Sequence, residues 1–269
     1  MKEKLFPTSY GNIHYWMNDF DQRKKTLVFL PGLTATHILF SKQIRYFQNK
    51  WNCLVWDAPG HGKSQPFELT FRMEDKARFL HGILEKEQIQ RPVLIGQSMG
   101  GYVAQMFMEL YPGETGGFIS IDSCSLKRET VTWFDIWALR RVEPMYRAFN
   151  WDLLIQVGSR GCSESAYGRS LMRKMMKAYD KDWYVKLTAH GFHLLADSLD
   201  SKRAYDPDCP TLILCGTKDK AGSARRYDEK WAKLTGLPLI WIVGAGHNSN
   251  TDKPDEVNRI IRDFVWNLK

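Results

Sequence analysis

The chain has 269 residues, of which 43% are hydrophobic and 25% are charged, a composition typical of one large globular domain or of a domain with an insertion. Its formal net charge is +8, but the basic residues come singly or in pairs, which predicts a solvated basic surface and excludes a basic run of the nucleic-acid-binding kind. Since no stretch of about 18 apolar residues occurs, we expect no membrane-spanning helix.

The remaining bulk features point to a protein of a reducing compartment without a bound metal or cofactor. The five cysteines are scattered, odd in number and lack CxxC spacing, which argues against a disulfide framework and a zinc site. Pro7 and polar residues follow the charged start, where a signal peptide would have its apolar core, so we expect a cytoplasmic location. Neither a GxGxxG loop nor a Walker loop occurs, and the His190/His193 pair lacks accompanying carboxylate or cysteine ligands.

Short, nearly continuous apolar runs indicate parallel strands that are buried on both faces. These runs lie at 26–30, 53–56, 92–95, 117–121, 211–215 and 239–243, and the stretch 5–17 predicts a further strand or hairpin at the sheet edge. Helical patterns lie at 37–49, 69–87, 99–110, 224–234 and 255–268. The alternation of strand and helix predicts an α/β fold with a doubly wound, mostly parallel sheet.

One long segment interrupts this alternation. Residues 124–205 contain no buried strand, are rich in Trp, Met, Arg and Lys, and show helical spacing in several pieces. Because so long a span exceeds an ordinary loop, we predict a helical insertion over the sheet, placed after the sixth strand. The predicted core domain is then 1–123 together with 206–269, and 124–205 is the inserted unit.

A serine stands between two glycines at the end of the strand predicted at 92–95, in the sequence "GQSMGG". A GxSxG pattern alone is a weak signal, since Gly and Ser are common in turns. Here, however, the pattern joins a buried strand to a helix, which is typical of a nucleophile elbow that exposes the hydroxyl of Ser98. Asp219 and His247 follow the next-to-last and last predicted strands, so all three side chains are expected at one edge of the sheet.

The order Ser, Asp, His resembles that of the α/β-hydrolase-fold serine hydrolases, and the resemblance covers essentially the whole chain. The turn "DAPGHGKS", the GxxD at 216–219 and the late "GAGH" stand where this family has its motifs. The resemblance implies that Ser98 is the nucleophile, that His247 is the general base, and that Asp219 orients the imidazole. It also implies that segment 124–205 is a cap.

The resemblance further places the oxyanion hole at the backbone N–H groups of Leu33 and Met99. Pro31 stands where the family frequently has His, which leaves the shape of this loop open. Asp122 also follows a predicted strand and is an alternative triad acid, because some members of the fold carry their acid there. Asp57 and His61 in "DAPGHGKS" are interpreted as residues that shape the turn.

Acyl transfer to water is the predicted reaction, with a small-molecule substrate and an oligomeric state that the sequence leaves open. Serine at the nucleophile position argues against dehalogenases and epoxide hydrolases, which carry Asp there. A small, largely apolar ester, thioester or lactone is favoured. Three cap residues, Trp133, Trp137 and Met145, are candidates for a substrate-binding wall or for plain core.

Three alternatives remain. The first two are a carbon–carbon bond hydrolase and an acyltransferase, each acting on an anionic substrate. The arginines Arg140, Arg141 and Arg147 could hold its carboxylate, although a solvated helix face explains them more simply. The third alternative is a member of the fold that binds a ligand without catalysis.

Overall fold

The computed structural model describes residues 1–203 and 205–268; residues 204 and 269, which fall in the predicted insertion and core, lie outside it. Its eight strands form one sheet in the order β1-β2-β4-β3-β5-β6-β7-β8. They are β1 (Lys2–Thr8), β2 (Gly11–Met17), β3 (Thr26–Leu30), β4 (Asn52–Trp56), β5 (Val93–Gln97), β6 (Gly117–Ile121), β7 (Thr211–Gly216) and β8 (Leu239–Ile242).

The sheet is antiparallel only where the first hairpin joins it. Strand β1 pairs with β2 and β2 pairs with β4 in antiparallel register. The remaining neighbours in the order β4-β3-β5-β6-β7-β8 are all parallel. All residues of β3 to β7 are buried, because helices cover both faces of the sheet. This arrangement confirms the predicted α/β class, and the stretch predicted at 5–17 belongs to the edge hairpin.

The helices follow the predicted periodicity, with differences at their ends. They are α1 (Ser41–Phe47), α2 (Met73–Lys86), α3 (Met99–Leu110), α4 (Trp133–Leu139), α5 (Val142–Ala148), α6 (Trp151–Cys162), α7 (Ala166–Lys177), α8 (Lys181–Asp200), α9 (Ala224–Thr235), α10 (Ser249–Asp252) and α11 (Pro254–Asn267). Helix α2 begins at Met73, later than predicted, because the Arg72 N–H donates to Asp75 Oδ2 at 2.8 Å and caps the helix there. None of the described helices is both long and apolar enough to cross a membrane.

Helices α4 to α8 occupy the segment between β6 and β7. Helix α8 packs against the rest of the protein: Leu194 and Leu195 share an apolar cluster with Met99 of α3. A Cβ atom at Gly191 would lie 2.4 Å from Leu33 Cδ1, so the absent side chain lets α8 approach the loop after β3. The segment is therefore helical, as predicted, and its exact limits as a separate domain stay a prediction.

The start of α3 crosses β3 at very short range. A Cβ atom built on Gly100 would lie 1.8 Å from the carbonyl oxygen of Leu30, which real atoms cannot tolerate. The register pairs Leu30 with Gly96, so the strand before the turn and the helix after it both lie against β3. The sharp turn that carries Ser98 therefore depends on a residue without a side chain at position 100.

We expect Gly100→Ala to lower the free energy of unfolding by about 3 kcal/mol or more, because the backbone of β3 would have to move away from the new methyl group. Gly161→Ala in α6 is the matched control, since a Cβ there meets no atom within 4 Å. The control should leave stability unchanged or raise it by up to about 1 kcal/mol. Urea unfolding followed by circular dichroism measures both variants, and equal stabilities would contradict the close crossing.

Candidate active site

The backbone at Ser98 has the strained conformation expected of a nucleophile elbow. Its φ is 50° and its ψ is −120°, in the positive-φ region that L-residues rarely adopt. Ser98 lies between β5 and α3, and its N–H donates to the Ile121 carbonyl at 2.9 Å. The residue is only half-buried, so the turn holds the hydroxyl where a small molecule can reach it.

The three residues predicted as a triad form one chain of hydrogen bonds. His247 Nε2 lies 2.9 Å from Ser98 Oγ, and His247 Nδ1 lies 2.9 Å from Asp219 Oδ2. Because an ionised carboxylate only accepts, Nδ1 must carry the hydrogen, which leaves Nε2 free to accept from the serine hydroxyl. The Ala221 N–H donates to the second carboxylate oxygen of Asp219 at 2.8 Å and fixes its orientation.

The charges around His247 favour its protonated form. Burial by itself lowers the pKa of His247, but the charge and hydrogen bond of Asp219, with the charges of Asp122 and Asp228, outweigh burial and raise the pKa to about 9. An imidazolium at this position is therefore strongly stabilised. Such stabilisation is what a base needs when it accepts a proton from a serine during attack on a carbonyl.

Hydrogen bonds to the main chain hold the His247 loop on both sides of the imidazole. The Gly246 N–H donates to Asp252 Oδ2 at 2.8 Å, and the Asn248 N–H donates to the Cys162 carbonyl at 2.8 Å. Gln97 Nε2 donates to the His247 carbonyl at 2.9 Å. Gln97 and Asp252 were not found by the sequence reasoning, because both act on backbone groups that only the tertiary fold brings to them.

The structure brings Asp219, and not Asp122, to the imidazole. Both oxygens of Asp122 accept backbone N–H groups instead: Oδ1 accepts from Gly216 and Oδ2 accepts from Ser249, each at 2.8 Å. The residue lies deep in the core with 1% of its surface exposed. Of the two carboxylates considered from the sequence, Asp219 therefore has the geometry of a triad acid.

The two residues predicted for the oxyanion hole lie on either side of the elbow. Leu33 lies in the loop after β3, the strand that pairs with β5, and Met99 is the first residue of α3. Within the described residues, neither backbone N–H donates a hydrogen bond to another group of the protein. Donors of this kind next to a serine hydroxyl are what an oxyanion hole requires, and the assignment of Leu33 and Met99 to one stays a prediction.

The three predicted substrate-binding residues lie at the surface of the inserted segment. Trp133, Trp137 and Met145 are 70%, 44% and 52% exposed. Trp137 stacks on Phe134 with a centroid distance of 5.5 Å, and the Arg141 guanidinium carbon lies 4.5 Å from the Trp137 ring centroid. These contacts lie within α4 and the residues after it, and the assignment of the three residues to substrate binding stays a prediction.

Two of the arginines considered as carboxylate anchors already have acidic partners. Arg140 Nη2 lies 2.9 Å from Asp197 and 3.2 Å from Asp200. The Arg147 guanidinium lies 2.7 Å from Glu143 and 3.0 Å from Asp182. These exposed ion pairs fit the simpler interpretation, in which the arginines belong to solvated helix faces.

Asp57 and His61 make the contacts of residues that shape a turn. Asp57 accepts hydrogen bonds from the backbone N–H groups of His37 at 2.6 Å and Lys63 at 2.8 Å. His61 Nδ1 donates to the Pro59 carbonyl at 2.9 Å. Burial, more than any charge, lowers the pKa of His61 to about 3, so its neutral form is stabilised.

One group of side chains has the composition of a metal site but not the free ligand atoms. Asp122, Cys215 and Asp219 bring their ligand atoms within 4.8 Å of one another. The oxygens of both carboxylates already accept hydrogen bonds, and burial raises the pKa of the Cys215 thiol well above its ordinary range. The set therefore does not fit a divalent cation, which requires deprotonated ligands with free lone pairs.

Asp219→Asn is expected to lower the pKa of His247, because it removes the charge that contributes most to stabilising the imidazolium. Asp252→Asn is the matched control: it alters a carboxylate that holds the same loop but is not among the groups that contribute most to raising this pKa. Titration of the His247 Cε1 resonance by NMR measures both variants. An unchanged His247 pKa in Asp219→Asn would contradict the assignment of this ion pair.

Comparison with known proteins agrees with this geometry. The family described as "alpha/beta hydrolase fold" matches residues 25–254. The chain is 35% identical to the 2-hydroxy-6-oxononadienedioate/2-hydroxy-6-oxononatrienedioate hydrolase of Paraburkholderia phymatum, over 94% of this chain and 90% of that protein. It is 33% identical to the hydrolase YugF of Bacillus subtilis, over 90% of each chain.

A solved structure shows the same fold. The thermophilic esterase of Thermogutta terrifontis superposes with a TM-score of 0.75 at 21% sequence identity, over 100% of this chain and 99% of that one. The elbow after β5, the order of the sheet and the extent of these matches all lead to one assignment. The chain belongs to the alpha/beta hydrolase fold family, and it is a hydrolase of that family.

Proposed function

We propose that the protein is a serine hydrolase that cleaves a small, largely apolar carboxylic ester, or a related thioester or lactone, through an acyl-enzyme on Ser98. The observation that carries this proposal is the unbroken chain from Ser98 Oγ through His247 to Asp219, with both links at 2.9 Å. Nucleophile, base and orienting acid are within hydrogen-bond reach of one another before any substrate binds.

The proposed reaction has two halves. In the first, Ser98 Oγ attacks the carbonyl carbon while its proton passes to His247 Nε2, and the carbonyl oxygen becomes an anion between the N–H groups of Leu33 and Met99. The tetrahedral intermediate collapses, the carbon–oxygen bond of the ester breaks, and His247 gives its proton to the leaving alcohol.

In the second half of the reaction, a water molecule takes the place of Ser98 Oγ as the nucleophile. It loses a proton to His247 as it attacks the acyl carbon, and the acid is released when the proton returns to Ser98. Asp219 stays ionised throughout and holds the imidazole by its bond to Nδ1. No step requires a group other than those of the chain, the substrate and water.

The surroundings of the proposed site support an apolar substrate. Leu33 and Met99 belong to the same apolar cluster as Leu126, Leu194 and Leu195. Of the arginines considered as anchors for an anionic substrate, Arg140 and Arg147 are paired with carboxylates. Apolar side chains beside a few polar groups are the surroundings that suit a small ester.

A second candidate function is hydrolysis of a carbon–carbon bond in an anionic substrate. Its support is the 35% identity with a protein named as a 2-hydroxy-6-oxononadienedioate/2-hydroxy-6-oxononatrienedioate hydrolase. The same three residues would serve that reaction. The two proposals differ in the substrate that the inserted helices admit, and in whether a cation is available for a carboxylate.

Ser98→Ala is expected to lose covalent labelling by a fluorophosphonate and to lower the hydrolysis of p-nitrophenyl acetate by a factor on the order of 10⁴, because the members of a triad act as a unit. Ser41→Ala is the control, since Ser41 is an exposed serine at the start of α1. It should be labelled and active like the native protein. Labelling of intact Ser98→Ala would show that another residue is the nucleophile.

A substrate panel should distinguish the two candidate reactions. We expect kcat/KM to be higher for neutral p-nitrophenyl esters of short to medium acyl chains than for dicarboxylate monoesters or ring-fission dienones, because two of the three candidate arginines, Arg140 and Arg147, are already paired with carboxylates. The measurement is the initial rate for each substrate at fixed pH and ionic strength. Turnover of the anionic dienones alone would overturn the esterase proposal in favour of carbon–carbon hydrolysis.

A further inference from the structure

Asp122 connects the two loops that carry the base and the acid of the proposed triad. Its Oδ1 accepts the N–H of Gly216, which lies three residues before Asp219 in the chain, and its Oδ2 accepts the N–H of Ser249, two residues after His247. Both distances are 2.8 Å. One carboxylate therefore sets how far apart these loops lie.

The backbone of Asp122 is itself fixed next to the elbow. Its φ is 50°, a positive value that a non-glycine residue adopts only when its surroundings hold it there. The Asp122 N–H donates to the Leu214 carbonyl at 2.8 Å, and the preceding residue, Ile121, accepts from the Ser98 N–H at 2.9 Å. Asp122 thus directly follows the residue that accepts the Ser98 N–H, and its carboxylate accepts backbone N–H groups within three residues of Asp219 and His247.

A carboxylate is the only side chain of this size that accepts from both N–H groups and also carries a negative charge. An asparagine in the same position would direct its amide N–H₂ at one of the two donors. Burial, followed by the charge of Asp219, raises the pKa of Asp122 to about 7, while the charge of His247 and the Ser249 N–H oppose that rise. Burying a carboxyl group here lowers the stability of the folded protein, which indicates that Asp122 serves a purpose other than stability.

We propose that Asp122 is a positioning residue of this hydrolase: its carboxylate fixes the loops of Asp219 and His247 in register with Ser98, and its charge stabilises the imidazolium that forms as Ser98 attacks. This inference rests on the proposed function. It differs from the role of an alternative triad acid, because Asp122 makes no hydrogen bond to His247 in the described structure.

The other titratable groups near Asp122 and His247 come from four elements, one of which, α10, carries Asp252, the acceptor of the Gly246 N–H. Asp219 follows β7, Cys215 lies in β7, Asp228 lies in α9 and Cys162 ends α6. Burial raises the pKa of Asp228 well above its ordinary range and raises that of the Cys162 thiol to about 12. Burial likewise raises the pKa of the Cys215 thiol, so the groups that raise the pKa of His247 are the carboxylates of Asp219, Asp122 and Asp228, in that order.

The direction of the pH effect follows from these charges. A negative charge near His247 raises its pKa, and only neutral His247 can accept the serine proton. Removing the charge of Asp122 therefore lowers the His247 pKa, and the acid limb of the kcat/KM profile moves to lower pH. A carboxylate that merely supported the loops would slow the reaction without moving this limb.

The test compares Asp122→Asn with Asp252→Asn in the hydrolysis of a neutral p-nitrophenyl ester between about pH 5 and 10. We expect Asp122→Asn to lower the plateau of kcat/KM about tenfold and to move the acid limb by roughly half a pH unit or more towards lower pH. Asp252→Asn also weakens the hold on the His247 loop, at the Gly246 N–H, and should leave the limb in place. An unmoved limb in Asp122→Asn overturns the inference.

Two further measurements cover the cases in which Asp122→Asn does not fold or the native protein hydrolyses no ester. Asp122→Ser removes the same charge with a smaller side chain, and its limb must move in the same direction if Asp122→Asn does not fold. If the native protein hydrolyses no ester, the proposed function fails, and NMR titration of His247 in the Asp122 variants then tests the inference by itself. A His247 pKa equal to that of the native protein would overturn it.

Discussion

The position of one imidazole depends on hydrogen bonds that the surrounding protein makes to the main chain on either side of it. The N–H before His247 is held by Asp252, the N–H after it by the Cys162 carbonyl, and its own carbonyl by Gln97. Since backbone groups cannot rotate away as a side chain can, these bonds fix the position of the loop that places the ring between Ser98 and Asp219. These three partners lie in separate elements of the fold, α10, α6 and β5.

The parallel sheet explains why they can meet. Strands β3, β5, β6, β7 and β8 all end at the same edge, so the loops that follow them converge although they lie far apart in the chain. The close packing of α3 against Leu30 then fixes how far Ser98 lies from that edge. Packing therefore provides the coarse placement of the site, and polar bonds to the backbone provide the fine placement.

Much of this arrangement could be predicted from the sequence, because it is encoded in local patterns. Buried strands appear as apolar runs, and Ser98, Asp219 and His247 each follow such a run in the order typical of the fold. The contributions of Gln97 and Asp252 could not be predicted in this way. Each acts on a backbone group distant in sequence or in an unpatterned turn, and any polar residue in a loop presents the same local signal.

Side-chain exposure was the other property that the sequence did not contain. Trp133 and Trp137, the candidates for a pocket wall, are 70% and 44% exposed on a helix of seven residues. Periodicity identifies the face of a helix that is buried only when the helix is long enough to show a repeat. For short helices such as α4, the neighbours decide, and these are known only from the tertiary structure.

The bonds of Asp252 reach beyond the imidazole loop. Besides the Gly246 N–H, its carboxylate accepts the N–H groups of Glu164 and Ser165, at 2.8 Å and 2.9 Å, in the turn between α6 and α7. The inserted helices and the loop of His247 thus form hydrogen bonds to the same side chain. A hybrid protein in which α4 to α8 are replaced by those of a relative, in order to change the substrate range, would also lose the native turn whose Glu164 and Ser165 N–H groups bind Asp252. Grafts that keep residues 162–165 with the recipient should therefore be the ones that keep the loop of His247 in place.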